Sequence, residues 1–333
     1  MVHLISDPTG KATILKLQNS EYEITITPSP GIFCPRSIFR TLYPLSLIKL
    51  IANAYNVVWM LDEISRDEDP LSIENDLYFS LFAYLDSDSF CSKKILDFGC
   101  GGGSSTMVIS RMFPNSMIWG IELCPTLLEL AKARAKFYNR EDICFLRNRS
   151  NFSLPANLPK FDFILLSAVY EHLLPEERPP ILSQLWDLLL PGGILFLNQT
   201  PDLRFPIESH TTGLPLINWL PDKIANKIVH TFSKRTIKNE SWENLLRAGI
   251  RGTTPFQLLQ QFKSVSLSPQ VKLLNPSRLG ITKQSEIWYK AAENRARENW
   301  KFPKLQIIKC LKFLLHKLKF PIAPYLNLAF KKN

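Results

Sequence analysis

The sequence lacks the features that would place it in several large protein classes. None of its six cysteines belongs to a C-x-x-C pair, which argues against a zinc site or a disulfide framework and favours a reducing compartment. The first residues show no basic-then-apolar stretch, so we expect no secretory signal peptide. The apolar stretch at residues 45–61 is interrupted by Lys49, Asn53 and Asn56, which makes it too polar to span a bilayer.

A net positive charge is also missing from most of the chain. The net charge is +10, but residues 290–333 alone carry eleven Lys and Arg against two acids. The remainder is therefore nearly neutral, which disfavours a basic groove for nucleic acid. Within the basic segment, residues 305–320 have the pattern of an amphipathic helix, with apolar side chains on one stripe and Lys309, Lys312, His316 and Lys319 on another. Such a helix lies on an anionic membrane surface or docks on the protein core, and both alternatives stay open.

The most informative segment is residues 97–103 (DFGCGGG), which follow an apolar pair. A short buried strand there ends near Asp97, a glycine-rich turn follows, and residues 104–112 have the pattern of a helix. This layout is typical of a nucleotide pocket at the carboxyl end of a parallel strand. The glycines are expected to permit the sharp turn and to let a ligand approach the backbone: Gly99, Gly101 and Gly103.

The spacing of these glycines distinguishes between ligands. The dinucleotide fingerprint G-x-G-x-x-G fails because Ser104 stands at its third glycine position, and no G-K-[ST] follows that would indicate a P-loop. The pattern D-x-G-x-G-x-G instead resembles motif I of the class I S-adenosylmethionine (SAM) methyltransferases. The resemblance implies that the loop packs against the amino-acid end of SAM and that Asp97 contacts that region. The alternative is a glycine-rich turn without a ligand.

A second acidic residue supports a SAM site. Residues 117–121 have the pattern of another buried strand, and Glu122 follows, 19 residues after Gly103. A carboxylate near that position accepts hydrogen bonds from a ribose diol such as that of SAM. Leu123 is then placed to pack on the adenine. The alternative is a glutamate that begins the helix predicted over residues 126–138, where negative charge is favourable.

The alternation of strands and helices continues to about residue 200 and predicts right-handed crossovers around a parallel sheet. Two of its segments, FDFILL and LLLPGGILFLN, resemble later motifs of the same family, so the resemblance covers residues 93–200. It implies an α/β fold with a doubly wound, Rossmann-like, seven-stranded SAM-methyltransferase sheet. The further elements predicted up to that point are strands at 143–146, 161–166 and 194–198 and a helix at 180–190.

The resemblance assigns two more residues to SAM. Many family members have an Asp after the third strand that holds the adenine amino group, whereas this chain has Ser150 there, beside Arg149 and Asn151. A serine or asparagine can still hydrogen-bond the base. Ser167 begins the segment after the strand at 161–166, whose backbone is expected to touch SAM.

Around this core we divide the chain into three parts. Residues 1–75 form an N-terminal helical extension with a strand at 22–27, a helix near 45–64 and a surface loop at 66–70. Residues 76–292 form the methyltransferase domain, with a cap insertion at 201–251. Residues 293–333 form the basic tail. The last strands of the sheet are predicted at 271–274 and 285–291.

Candidate acid–base groups lie in two segments that leave the sheet at its carboxyl edge. We predict His210 as a general base for the acceptor, oriented by Glu208 or Asp202. The alternative is that Glu208 and His210 only pin their loop. His172, in the other segment, is a further candidate, with a structural role as its alternative. Asp202, Glu208 and His210 lack a metal-ligand spacing, so no metal is predicted.

The predicted function is SAM-dependent O-methylation of a small-molecule or glycan hydroxyl. Residues 204–221 and 241–254 resemble a bacterial subgroup of the family linked to glycan or cell-envelope biosynthesis. One alternative is an RNA methyltransferase, which the absence of N-P-P-Y and Pro-Cys motifs disfavours. Others are a SAM-binding protein without turnover at a membrane and an NAD(P) enzyme, against which Ser104 argues. We expect a cytoplasmic location, with the inner face of the membrane as the alternative through residues 305–320.

Overall fold

The computed structural model describes residues 2–233, 240–265, 271–299, 301–318 and 320–333. Its strands, in chain order, are β1 (Val2–Asp7), β2 (Gly10–Lys16), β3 (Tyr22–Pro28), β4 (Ile38–Thr41), β5 (Lys94–Phe98), β6 (Met117–Glu122), β7 (Cys144–Arg147), β8 (Phe161–Ser167), β9 (Leu189–Pro201), β10 (Val271–Leu273) and β11 (Tyr325–Lys332). Its α-helices are α1 (Leu45–Tyr55), α2 (Val57–Glu68), α3 (Ile73–Phe82), α4 (Ser104–Met112), α5 (Pro125–Phe137), α6 (Arg178–Leu188), α7 (Asp222–Phe232), α8 (Trp242–Arg247), α9 (Pro255–Val265), α10 (Gln284–Glu298) and α11 (Phe302–Lys317).

Seven of these strands form one mixed sheet in the order β10-β11-β9-β8-β5-β6-β7. Parallel pairing joins β5 to β8, β8 to β9 and β6 to β7, whereas β11 runs antiparallel to both β9 and β10. The central strands carry near-continuous apolar runs because helices cover both faces of such a sheet. This is a Rossmann-like mixed sheet of seven strands, and the predicted α/β fold class is confirmed.

The strand predicted at residues 285–291 is wrong. Residues 285–291 lie in α10, and the strand between β9 and β10 is instead β11, which was assigned to the basic tail. Ile287, Tyr289 and Ala291 alternate as in a strand, but the buried set continues through Ala292 and Ala296 with helical spacing. The period of the whole run therefore decides between helix and strand.

The chain divides into two compact units. Unit 1 comprises Met1–Glu74, Cys100–Pro114 and Ile118–Arg147. Unit 2 comprises Asn75–Gly99, Asn115–Met117 and Asn148–Asn333.

Unit 1 contains a second sheet, antiparallel, in the order β1-β2-β3-β4. Its buried side chains pack with those of α1 and α2 in one apolar cluster, so the predicted helical extension is a strand-and-helix layer. The helix predicted near 45–64 is two helices, because Asn56 adopts a positive φ of 65° and its side chain accepts a hydrogen bond from Trp59 N. The surface loop predicted at 66–70 is wrong for its first residues: they continue α2, and Asp67 is buried and accepts hydrogen bonds from Tyr43 and Tyr138.

In unit 2, α6 packs on β9 and on α9, and α9 also contacts β10, whereas α10 and α11 pack on each other. The helix predicted at 305–320 corresponds to α11, in which Leu305 and Ile308 pack against Tyr289 and Ala292 of α10. Docking on the protein is thus observed for one face of α11. Across the described ranges, no helix is long and apolar enough to cross a membrane.

Candidate active site

The glycine turn, residues 99–103, joins β5 to α4 with positive φ at Gly99, Gly101 and Gly103. At Gly103 a Cβ atom would lie 2.8 Å from the Cα atom of Ala131 in α5, so packing of that helix requires this glycine. At Gly101 a Cβ atom would have the Tyr55 hydroxyl as its neighbour, at 3.5 Å. The expected room for a ligand therefore lies at Gly101. At Gly103, the atoms that lie close to the backbone belong to Ala131 and not to a ligand.

Side chains of α1, α2 and α5 in unit 1 brace the glycine turn. The fully buried Arg134 donates through Nη1 to the carbonyl oxygen of Gly102, at 2.8 Å, and to Glu63 Oε1, at 2.7 Å. The Tyr55 hydroxyl accepts a hydrogen bond from Gly102 N at 3.2 Å. Sequence reasoning missed these residues, although an arginine on the apolar stripe of α5 was a signal that a buried partner exists.

Glu122 ends β6 and is half-buried. Its Oε2 accepts a hydrogen bond from Gly101 N at 2.9 Å, and its Oε1 accepts from Leu123 N and Cys124 N, both at 2.8 Å. Glu122 thus holds the glycine turn and the start of α5 together. A carboxylate has about four acceptor sites, so capacity for ribose hydroxyls remains, and these residues fit SAM. The Leu123 side chain is exposed beside it.

Asp97 and Ser150 are predicted cofactor residues that lie in unit 2. Asp97 is buried within β5. Ser150 closes a local turn, in which its hydroxyl accepts from Phe152 N at 3.0 Å and its carbonyl accepts from Asn148 Nδ2 at 2.7 Å. The hydroxyl hydrogen of Ser150 can still be donated to a base. Their contacts with SAM stay predictions.

The polar row, Ser167, Asn198 and Asn327, crosses three neighbouring strands of unit 2 near the carboxyl ends of β8 and β9. Ser167 pairs in register with Asn198, and Asn198 with Asn327. Among the described residues, the Ser167 hydroxyl and both amide side chains have buried polar atoms without a hydrogen-bond partner. Because buried polar groups are normally satisfied, this row is suited to bind a ligand or water. The sequence assigned Ser167 only, since Asn327 had been placed in the tail.

The predicted acid–base loop is held by its own carboxylates. Asp202 is buried and pairs with the Arg204 guanidinium at 2.7 Å. Glu208 accepts hydrogen bonds from the backbone N–H groups of His210 and Thr211, both at 2.8 Å. The pinning alternative for Glu208 is therefore observed, and it orients His210 through the backbone. The catalytic role of His210 stays a prediction.

The side chain of His210 belongs to the acid–histidine cluster, Glu171, His172 and His210. Their possible ligand atoms all lie within 4.8 Å of one another, and the two imidazole rings are 5.4 Å apart between centroids. Burial raises the pKa of Glu171. Sequence reasoning missed Glu171, and its position directly before His172 was the available signal.

Known proteins similar to this chain include methyltransferases. Residues 96–195 match the family model described as a methyltransferase domain. The chain is 34% identical over 108 residues to the uncharacterized protein RP028 of Rickettsia prowazekii, which covers 32% of this chain and 42% of that protein. It is 32% identical over 111 residues to a trans-aconitate 2-methyltransferase of Methylobacterium radiotolerans, covering 33% and 39%. The chain thus spans about two fifths of the length of these curated relatives.

A solved structure similar to this chain is a plantazolicin methyltransferase in complex with S-adenosylhomocysteine (SAH). The match covers 86% of this chain and 96% of that one, at 14% identity and a TM-score of 0.47.

Proposed function

We propose that this protein, whose residues 96–195 match a methyltransferase domain, transfers the methyl group of SAM to a hydroxyl of a small molecule or glycan. The observation that carries the proposal is the hydrogen bond from Gly101 N to the half-buried Glu122, within a turn that Arg134 and Tyr55 brace. A turn fixed in advance loses little conformational entropy when a nucleoside binds.

In this proposal Glu122 accepts the ribose hydroxyls, Leu123 packs on the adenine, and the backbone at Gly101 approaches the ligand. Asp97, Gly99, Gly103, Ser150 and Ser167 keep the supporting roles that motif resemblance implies. When bound, SAM supplies an electrophilic methyl group on a sulfonium. The protein then has to align an acceptor oxygen with that methyl and remove its proton.

Calorimetric titration of SAH tests the cofactor site. Because charge-assisted hydrogen bonds contribute about 1.5–3 kcal/mol, Glu122→Gln should weaken SAH binding by about 10–100-fold. Glu129→Gln, which changes an exposed glutamate on α5, is the matched control and should bind SAH normally. A wild-type protein that ignores SAH, or that prefers a nicotinamide nucleotide, would contradict the proposal.

The acceptor side of the proposal rests on unit 2. The polar row offers a hydroxyl and two amides, which suit a hydroxylated acceptor. His210 is the proposed base, so His210→Ala should lower turnover by about 100-fold while SAH affinity is kept. His230→Ala, in α7, is the control. Normal turnover in His210→Ala would remove His210 from the mechanism.

We further propose that α11 brings the enzyme to an anionic membrane surface. Beside its lysines, this helix exposes the apolar side chains of Ile307, Phe313 and Leu314, and the exposed Leu318 directly follows it. The full chain should sediment with anionic vesicles, and Phe313→Ser with Leu314→Ser should abolish this. Substitutions are needed because a deletion from residue 305 onward would remove β11 from the sheet. Equal sedimentation of both proteins would refute the membrane role. The cytoplasmic location stays a prediction.

A further inference from the structure

We propose that the acid–histidine cluster of Glu171, His172 and His210 is a binding site for a divalent transition-metal ion of the zinc type. The cluster lies in unit 2, after β8 and after β9. The sequence predicted no metal, because the set considered there, Asp202, Glu208 and His210, lacks a metal-ligand spacing. That set contained neither Glu171 nor His172, which is 38 residues from His210 along the chain.

The first observation concerns the tautomer of His172. Its Nδ1 lies 2.7 Å from the carbonyl oxygen of Arg247. Since a carbonyl oxygen only accepts hydrogen bonds, Nδ1 carries the hydrogen, and the lone pair of the neutral ring is on Nε2. A metal-binding histidine characteristically donates its other N–H to a carbonyl or carboxylate, as His172 does here.

The second observation concerns the carboxylate that faces this lone pair. The Glu171 side chain is fully buried, and its Oε1 lies 4.0 Å from His172 Nε2. Its Oε2 accepts a hydrogen bond from the Thr200 hydroxyl at 3.0 Å, which fixes the carboxylate plane. Within the described ranges, Glu171 Oε1 has no hydrogen-bond partner. At 4.0 Å no hydrogen bond joins Oε1 to His172 Nε2, and a metal ion bound between them takes a lone pair from each, with Glu171 deprotonated as a metal ligand must be.

The third observation concerns room for His210. Gly249 has a φ of 86°, and a Cβ atom there would lie 2.6 Å from Cδ2 of His210 and 3.1 Å from Cγ of Glu171. The absence of a side chain at Gly249 thus lets the His210 ring lie against the glutamate. The geometry of the turn after α8 is part of the site.

The donor set selects the metal. Two imidazoles and one carboxylate are typical of zinc and its neighbours, whereas Mg²⁺ and Ca²⁺ prefer oxygen ligands alone. Zinc lies about 2.0–2.2 Å from nitrogen and oxygen ligands, so two ligands of a tetrahedral zinc ion are about 3.3–3.6 Å apart. The 4.0 Å between Glu171 Oε1 and His172 Nε2 requires about 0.5 Å of closure. The 4.8 Å bound on the whole cluster requires at most about 1.5 Å, which rotations of the side chains supply.

Three protein ligands leave a fourth position of a tetrahedral zinc ion open. With the metal bound, His210 would be a ligand and not the general base. An oxygen of the methyl acceptor would occupy the open position and become more acidic there, an extension that rests on the proposed function. Metal binding itself requires neither SAM nor turnover, so its test is separate from that of the cofactor site.

The test is calorimetric titration of Zn²⁺ into the reduced, chelator-treated full chain without SAM. We expect one equivalent of zinc to bind. Loss of a residue that only hydrogen-bonds a metal ligand weakens metal binding by about 10–100-fold, and we expect a loss in this range for Thr200→Val. Loss of a ligand itself should weaken zinc binding by more than this, in His172→Ala, His210→Ala and Glu171→Ala. His230→Ala should bind as wild type. His172 is 40% exposed, so its variant should fold normally, which circular dichroism checks.

Titration with Co²⁺ identifies the ligands, because the chain also has six cysteines that bind soft metals. We expect a cobalt spectrum without thiolate charge-transfer bands. Thiolate bands, unchanged zinc binding in folded His172→Ala, or a wild-type chain that binds no zinc would each overturn the proposal.

Discussion

The glycine turn and the polar row differ in how their polar groups are hydrogen-bonded. Around the turn, the protein supplies the partners itself: Glu122 holds Gly101 N, and Arg134 and Tyr55 hold Gly102. Along the row, Ser167, Asn198 and Asn327 have buried polar atoms without a partner among the described residues. In the proposed function, the cofactor side is therefore built in advance, whereas the acceptor side keeps hydrogen-bonding capacity for its ligand.

The largest effect should follow from breaking the brace of the turn. Arg134→Met removes the donor that the buried Glu63 carboxylate shares with the Gly102 carbonyl. Among the described residues, Glu63 then keeps only Ser104 Oγ at 3.3 Å and Arg66 Nε at 3.4 Å. We expect the free energy of unfolding to fall by about 3–5 kcal/mol, as when one partner of a buried ion pair is removed. Urea unfolding measures this change.

The control for that variant lies on the same helix. Lys132→Met changes an exposed residue of α5 and should alter the free energy of unfolding by less than about 0.5 kcal/mol. Equal stability of Arg134→Met and wild type would show that the turn is held by other contacts.

The next test concerns the polar row and has a smaller expected effect. It compares how replacement of two buried asparagines by leucine changes the stability of the fold. Asn75 donates to the carbonyl of Ala291 at 3.1 Å and accepts from Asn294 at 2.9 Å, so Asn75→Leu should destabilise the fold by about 1–3 kcal/mol. Asn198→Leu removes unsatisfied groups, so it should leave stability unchanged or raise it, while methyl transfer is lost. Thermal unfolding and turnover are measured for both variants. Equal destabilisation in Asn75→Leu and Asn198→Leu would show that water hydrogen-bonds the Asn198 side chain.

The smallest effect concerns Glu68, an incompletely satisfied group of α2. Its Oε1 accepts from Leu42 N at 3.3 Å, its Oε2 has no partner in the described part of the chain, and burial raises its pKa to about 7. Between the ordinary value of 4.5 and 7, the folded state binds more protons than the unfolded state, so stability falls as pH rises through this window.

Replacing this carboxyl by an amide should remove that slope. In Glu68→Gln the free energy of unfolding should vary less between pH 5 and pH 8 than in wild type, which urea unfolding at about these pH values measures. Glu141→Gln, which changes an exposed residue of unit 1, should keep the wild-type slope. An unchanged slope in Glu68→Gln would assign the pH dependence to another group.

The parts predicted well from the sequence are those in which local pattern and topology agree. The helix at 104–112 begins and ends where it was predicted, because the glycine turn fixes its start and the apolar period fixes its face. The prediction at 285–291 failed because a short alternation is common to strands and helices. Arg134, Glu171 and Asn327 were missed because burial and pairing depend on residues far away in the chain.

The sequence by itself determined the order of strands and helices over residues 93–200, the glycine turn and the acid that ends β6, since these depend on neighbouring residues and on the period of apolar side chains. Only the tertiary structure decided that the last strand enters the sheet beside β9 and that Glu171 lies next to His172 and His210. Both facts follow from long-range packing, in which a side chain's partner is set by the path of the whole chain and not by its neighbours in sequence.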